Sequence, residues 1–292
     1  MNQLEMEHEM RCMSFNIKNG YDNEGVDGWP SRATMVAGMI RFHRPDVAGL
    51  QEVLYNQLED LERLLPEYGF IGVGRDDGEK AGEFMNILYR KQRLELLGSG
   101  TFWLSEQPDK PGAMGWDAAC ARTVTWAKLK DKRDGAEFLH VNTHFDHMGV
   151  VAVEQSAHLL VERVTQLAGS SPVMITGDFN CTSDSVPYRI LCQRGEQRIP
   201  LNDASAVADY HHFGLSFTFH DFDRKEMASQ MFPEQYHHDH APGLEFDSPI
   251  DFIFVNDLVK VQSFGILADH QGGKFPSDHL PILADVAWKL ER

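Results

Sequence analysis

Six apolar runs in this chain finish on, or contain, side chains able to do chemistry. Asn16 follows CMSF, Glu52 follows VAGLQ, His144 follows LHVNT, Asp178 and Asn180 close VMITGDFN, Asp251 lies within SPIDFIFV, and Asp278 and His279 lie within FPSDHLPI. Taken singly, each is ordinary: a cap, a turn or a satisfied core group. Gly-Asp-Phe-Asn is also what a turn looks like, because Asp and Asn side chains bond their own backbone. Taken together they are costly, at about 1–3 kcal/mol for each buried polar group left unsatisfied. A chain that gathers them at strand ends needs a partner for them, and a hard cation with oxygen ligands would be one.

The elements that must position these residues are legible from periodicity. MRCMSFNI (10–17) reads as a strand, 31–44 as an amphipathic helix stopped by Pro45, and VAGLQEV (47–53) as a second strand. NQLEDLERLL reads as a helix ended by Pro66, and FMNILYR with RLELLGSGTFWL as paired strands. TVTWAKLKDKRDGAEFLHVNTH reads as two strands joined at Asp134-Gly135. Val153, Ala157, Leu160, Val164 and Leu167 recur at helical spacing. PVMITGDFN, LSFTFH, IDFIFVND and HLPILADVAW read as further strands and VPYRILCQ as a short helix. Strands outnumber helices, and hairpins mix with crossover units. The expected architecture is α/β, with two mixed sheets packed face to face and helices outside, in a single domain over 1–292. In open α/β sheets ligands lie beyond the carboxyl ends of the strands, where the six clusters fall.

Composition narrows the function. Of 292 residues 42% are hydrophobic, enough for a substantial core. No apolar stretch is long enough to span a bilayer, and the N-terminus MNQLEMEHEMRCMSFN is acidic where a signal peptide would be basic, so a cytoplasmic protein is expected. Cys12, Cys120, Cys181 and Cys192 form no CxxC pair and are expected as free thiols. A net charge of −17 repels long polyanions, which disfavours nucleic acid and favours a small substrate.

The set SFNI, LQEV, NTHFDH, GDFN, IDFIFV and SDHLPI, in that order, resembles the endonuclease/exonuclease/phosphatase superfamily of metal-dependent phosphoesterases, from about Arg11 to Trp288. The stretch TFWLSEQPDKPGAMGWDAACARTVTWAKL looks more like bacterial members of phosphatase-like type. The resemblance implies a four-layer α/β sandwich and an Mg²⁺- or Mn²⁺-dependent hydrolase of phosphate mono- or diesters on a small molecule, with a nuclease as the alternative. It implies Glu52 as the principal metal ligand, Asn16 beside it, and Asp278 as a further carboxylate on the metal side. Asp178 would position or deprotonate the attacking water and Asn180 would donate to the phosphoryl oxygens. His279, oriented by Asp251, would contact the phosphate; His144 would stand near the leaving group, oriented by Glu83. Abasic-site endonucleases carry an acidic residue where this chain has Lys18.

Other residues keep two readings. Arg122 fits either a phosphate-binding arginine or a strand arginine paired with a carboxylate. Asp146 and His147 extend the NTH motif, as supports or as substrate contacts; His220 is a weaker candidate of the same kind. The tract YHHDHAPG (236–243) is too tightly spaced to place all its ligands on one metal, so a solvated or substrate-capping loop is preferred to a Zn²⁺ site. A catalytically silent binding module has no need for so many costly polar groups.

Overall fold

The computed structural model describes residues 10–196, 198–222 and 248–289. Two mixed sheets face each other. The first is built from β1 (Met10–Asn16), β2 (Val47–Val53), β3 (Tyr68–Ile71) and β4 (Phe84–Arg90), with β10 (Tyr210–His211), β12 (Val259–Ile266) and β13 (Ile282–Trp288). Its strand order is β10-β12-β13-β1-β2-β4-β3. The second is built from β5 (Leu94–Trp103), β6 (Thr123–Asp131), β7 (Glu137–His144), β8 (Val173–Asp178), β9 (Leu201–Asp203) and β11 (Asp251–Asn256), in the order β5-β6-β7-β8-β11-β9. Each sheet holds a central parallel pair, β1 with β2 and β7 with β8, amid antiparallel neighbours.

The layers follow from the two-residue period of a strand. Met13 and Phe15 of β1 face outward and pack with Val36 and Ile40 of α1 (Trp29–His43) and Leu61 of α2 (Tyr55–Leu64). Leu139, Val141, Val173 and Ile175 of the other sheet pack with Ala157, Leu160 and Val164 of α3 (Val150–Ala168). Two short helices, α4 (Val186–Cys192) and α5 (Ala204–Val207), complete the set. The alternate residues Met10, Cys12, Met174, Ile253 and Val255 meet between the sheets in a third apolar cluster. Helix, sheet, sheet and helix make the expected four layers.

That inner face changes chemistry along its length. Toward the strand ends the apolar pairs give way to Ser14, Thr176 and Asn142, all buried. Gln51 Nε2 donates to Asn142 Oδ1 (2.6 Å) and to Ser14 Oγ (3.2 Å), Thr176 Oγ1 donates to Asn142 Oδ1 (3.1 Å), and Asn142 Nδ2 donates to the carbonyls of Leu50 and Asn86. These bonds tie one sheet to the other. Two residues further along the same faces come Asn16, His144 and Asp178.

Three sequence readings differ in detail. LSFTFH forms no strand: Phe219 makes a single bridge to His279, and Phe217 packs with Phe275 and Leu280. The last strand starts at Ile282 rather than at residue 279, after the Pro281 carbonyl accepts the Leu267 N–H. Periodicity hid four strands: β3, β9 and β10 are only two to four residues long, and in β12 a register shift between Val261 and Ser263 breaks the alternation. No described helix is long and apolar enough to cross a membrane. Cys12, Cys120, Cys181 and Cys192 are free thiols.

Candidate active site

Register brings three of the six strand ends into one row. Asp178 lies opposite His144 on β7 and opposite Asp251 on β11. Across the sandwich, Asn16 and Glu52 end β1 and lie close to the end of β2. Asn16 Nδ2 donates to Glu52 Oε1 (3.0 Å) and to Asp178 Oδ2 (3.0 Å), and lies 3.4 Å from His279 Nε2. His279 Nδ1 pairs with Asp251 Oδ2 at 2.9 Å, while its Nε2 stands 3.6 Å from Asp178 Oδ2. His144 Nε2 is 3.4 Å from the same oxygen. The six motifs therefore converge on Asp178.

Local backbone shape aims these groups. Glu52 sits at φ 63°, where β2 loses its register with β4, and its Oε2 accepts from both the backbone and side-chain nitrogens of Asn19 (2.9 and 2.8 Å). Asn180 sits at φ 46°, its N–H donating to Asp178 Oδ1 (3.0 Å). Gly-Asp-Phe-Asn is thus a turn whose Asp178 and Asn180 also line the candidate site. The Asn180 amide nitrogen donates to the Phe145 carbonyl and lies 3.0 Å from His144 Nε2. Lys18, at φ 54°, has its N–H on Asn16 Oδ1 and its carbonyl held by Arg32 and Gln57. Its Nζ meets Asp278 Oδ2 at 2.8 Å.

The charges divide clearly. Burial alone would lower the His279 imidazole, but Asp251 and Asp178 outweigh it and raise it to about 10, which favours the charged form of the ring. His144 goes the other way, since burial and then Arg122 and His279 push it well below its ordinary value and keep it neutral. Burial and the neighbouring Asp251 charge raise Asp178 against the opposing pull of His279. Burial would also raise Asp278, yet His279 and Lys18 leave it below the ordinary carboxylate range. Burial and Glu52 push Glu83 up.

A cleft of about 360 Å³ opens on these groups, lined also by Asn19, Arg75, Cys120, Arg122 and His147. Arg122 is paired with a carboxylate and also lines the cleft. Its Nε donates to Asp146 Oδ1 (3.3 Å), and its Nη2 lies 2.9 Å from His147 Nδ1.

Two expectations need correction. Asp146 does not reach into the cleft: it is buried behind Arg122, and its oxygens take the N–H groups of Ala119, Met148 and Gly149. Burial opposes its ionisation, but those N–H groups and Arg122 bring it down to about 2. Glu83 does not orient His144. Its carboxylate pairs with Arg75 Nη1 and Asn19 Nδ2, and His144 Nδ1 has no hydrogen-bond partner among the described residues.

His220 is buried between the rings of Phe275 (5.0 Å) and Phe222 (5.9 Å). The tract 236–243 lies outside the described residues. Asn19 and Arg75 were missed from sequence. The signal for Asn19 was its place just after SFNIK; Arg75 had none beyond a turn-rich charged loop.

Known proteins share this fold. A solved structure of an endonuclease/exonuclease/phosphatase protein from Bacteroides vulgatus is 41% identical, with a TM-score of 0.85 over 96% of this chain and 99% of its own. A mannosyl-6-phosphatase from Bacteroides thetaiotaomicron VPI-5482 is 33% identical, with a TM-score of 0.81 over 96% of this chain and 100% of its own. Among curated proteins, Nocturnin of Drosophila melanogaster is 24% identical over 59% of this chain, which spans only 29% of that protein's length. The description of the Endonuclease/Exonuclease/phosphatase family, which takes in both phosphatases and nucleases, matches residues 13–279 and so reaches from the first strand to the histidine of SDHLP: the chain belongs to that family.

Proposed function

We propose that this chain hydrolyses phosphate monoesters of small polar molecules, sugar phosphates foremost, with a divalent cation as cofactor. The observation that carries the reading is the setting of Asp178, a buried carboxylate with Asn16 Nδ2, His144 Nε2 and His279 Nε2 all within 3.6 Å of one oxygen. The mannosyl-6-phosphatase relative supports the choice of sugar phosphates, and the net charge of −17 opposes an extended polyanion.

The donor set suits a hard cation. Glu52 and Asp278 offer oxygens only, as Mg²⁺ and Mn²⁺ prefer, and this side of the cleft already attracts the Lys18 ammonium; Asn16, whose oxygen takes the Lys18 N–H and whose Nδ2 donates to Glu52, holds that carboxylate in place. Asp178, Asp251 and His279 also lie close enough to hold an ion. Asp251 Oδ2 and His279 Nδ1 are already paired with each other at 2.9 Å, so we assign the ion to the Glu52 side, where carboxylate oxygens face the cleft. A bound divalent ion would supply Lewis-acid neutralisation of a phosphoryl oxygen.

The remaining roles belong to the chain. Asp178, raised toward neutrality, takes a proton from the attacking water. The His279 imidazolium, fixed by Asp251, and the Asn180 amide stabilise charge on the phosphoryl oxygens. Arg122, braced by Asp146, presents its fork to the phosphate. Neutral His144 stands near the leaving oxygen.

The test is a panel of mannose 6-phosphate, other sugar phosphates, bis(p-nitrophenyl) phosphate and a short oligonucleotide, each with Mg²⁺ and with chelator. Sugar phosphates should turn over fastest, and only with metal. Faster cleavage of the diester or the oligonucleotide, or full turnover in chelator, refutes the proposal.

A further inference from the structure

The cleft wall beyond Glu52 holds groups that the phosphate chemistry leaves unused. Asn19 Nδ2 bridges Glu52 Oε2 (2.8 Å) and Glu83 Oε1 (3.2 Å), so Glu83 stands one side chain away from the assigned ion ligand. The other Glu83 oxygen holds Arg75 Nη1. Arg75 Nε is buried without a hydrogen bond among the described residues; Asp76 Oδ1 lies 3.8 Å from it. The loop that carries Arg75 is firmly built. Arg75 N donates to the Glu83 carbonyl (3.0 Å), Asp76 N to that of Ala81 (3.0 Å), and Trp103 Nε1 to the Arg75 carbonyl (2.6 Å). Tyr21 follows two residues after Asn19. It is 65% exposed, and its phenol lies within electrostatic reach of Glu83 and Arg75.

Resting on the phosphatase reading above, we propose that Asn19, Arg75, Glu83 and Tyr21 form a hydroxyl-binding subsite that grips the sugar ring of a sugar phosphate. A guanidinium, a carboxylate and an amide held in one network offer fixed donors and acceptors to neighbouring hydroxyls. An exposed aromatic face covers the apolar C–H side of a pyranose ring. Formal charge decides against a second anion here: Arg75 is paired with Glu83, and Asn19 and Tyr21 are neutral. The subsite therefore selects a neutral polyhydroxylated group over a second phosphate or a nucleotide backbone. A site built to bond hydroxyls discriminates strongly against a substrate that lacks them.

The test compares kcat/KM for mannose 6-phosphate and for p-nitrophenyl phosphate, both with Mg²⁺, in the parent chain, Arg75→Met and Tyr21→Ala, with thermal melts as a check of folding. Arg75→Met strands a buried carboxylate and can fail to fold; Tyr21→Ala alters an exposed residue and keeps the test open. The ratio of sugar phosphate to aryl phosphate should fall roughly tenfold or more in each folded variant. An unchanged ratio in Tyr21→Ala, or turnover of the aryl phosphate alone by the parent chain, overturns the subsite and leaves phosphatase activity standing. No turnover of either ester by the parent chain overturns both.

Discussion

Asn16 and Asp178 end strands of different sheets, yet Asn16 Nδ2 lies 3.0 Å from Asp178 Oδ2 and equally far from Glu52 Oε1. One amide thus ties the carboxylate assigned to the water to the carboxylate assigned to the ion. A hydrogen bond to a charged group contributes about 1.5–3 kcal/mol. Asn16→Ala should therefore lower kcat by roughly 10- to 100-fold, with KM less affected. Steady-state kinetics on mannose 6-phosphate reads the split, and an unchanged kcat removes Asn16 from the machinery.

Asp178 and His279 should fail singly and together. Asp178→Asn removes the proton acceptor, and His279→Gln removes the cation that Asp251 and Asp178 hold charged. Each should cost at least about 10² in kcat while the near-ultraviolet circular dichroism stays that of the parent. Because the two act as a unit, the double variant should lose little more than the worse single one. Multiplying losses would show that they work independently.

The candidate site was legible in the sequence because strand periodicity and motif chemistry point the same way. Cys12, Ser14 and Asn16 share one face of β1, and Met174, Thr176 and Asp178 one face of β8, so a two-residue count carries each strand from apolar core to reactive end. What stayed hidden depends on geometry that a count does not hold. The positive φ of Glu52 and the pairing of Glu83 with Arg75 rather than His144 arise from contacts between segments far apart in sequence. Likewise the bulge in β12 erased a strand that a regular alternation would have marked.

His140 gives the fold a pH dependence separable from catalysis. It is fully buried beside Thr176, with Nδ1 unbonded among the described residues, and burial lowers it from 6.5 to about 3. The unfolded chain therefore binds a proton that the native chain refuses. The contribution is complete above pH 6.5 and is lost as pH falls toward 3, at up to about 1.4 kcal/mol per pH unit. His144, displaced in the same direction, adds to the slope. Urea unfolding of the parent and His140→Asn at pH 7.5 and 5.5 should show the parent losing more stability on acidification. Equal losses would mean that His140 is protonated in the native chain.

Gly49 marks a close approach of the two sheets beneath the site. A Cβ built there would lie 2.0 Å from Thr176 Oγ1 and 2.3 Å from Asn142 Oδ1, atoms bonded to each other and, through Asn142, to Gln51. In a fully packed interior such a methyl group is accommodated only by moving the network, at about 1–3 kcal/mol. Thr176 and Asn142 each stand two residues before a site side chain, Asp178 and His144, so the displacement passes along β8 and β7 to the chemistry. Gly49→Ala should consequently lower both unfolding free energy and kcat although no catalytic group is altered. Loss of stability with kcat intact would mean that the strand ends are held by their own loops rather than by the polar belt below them.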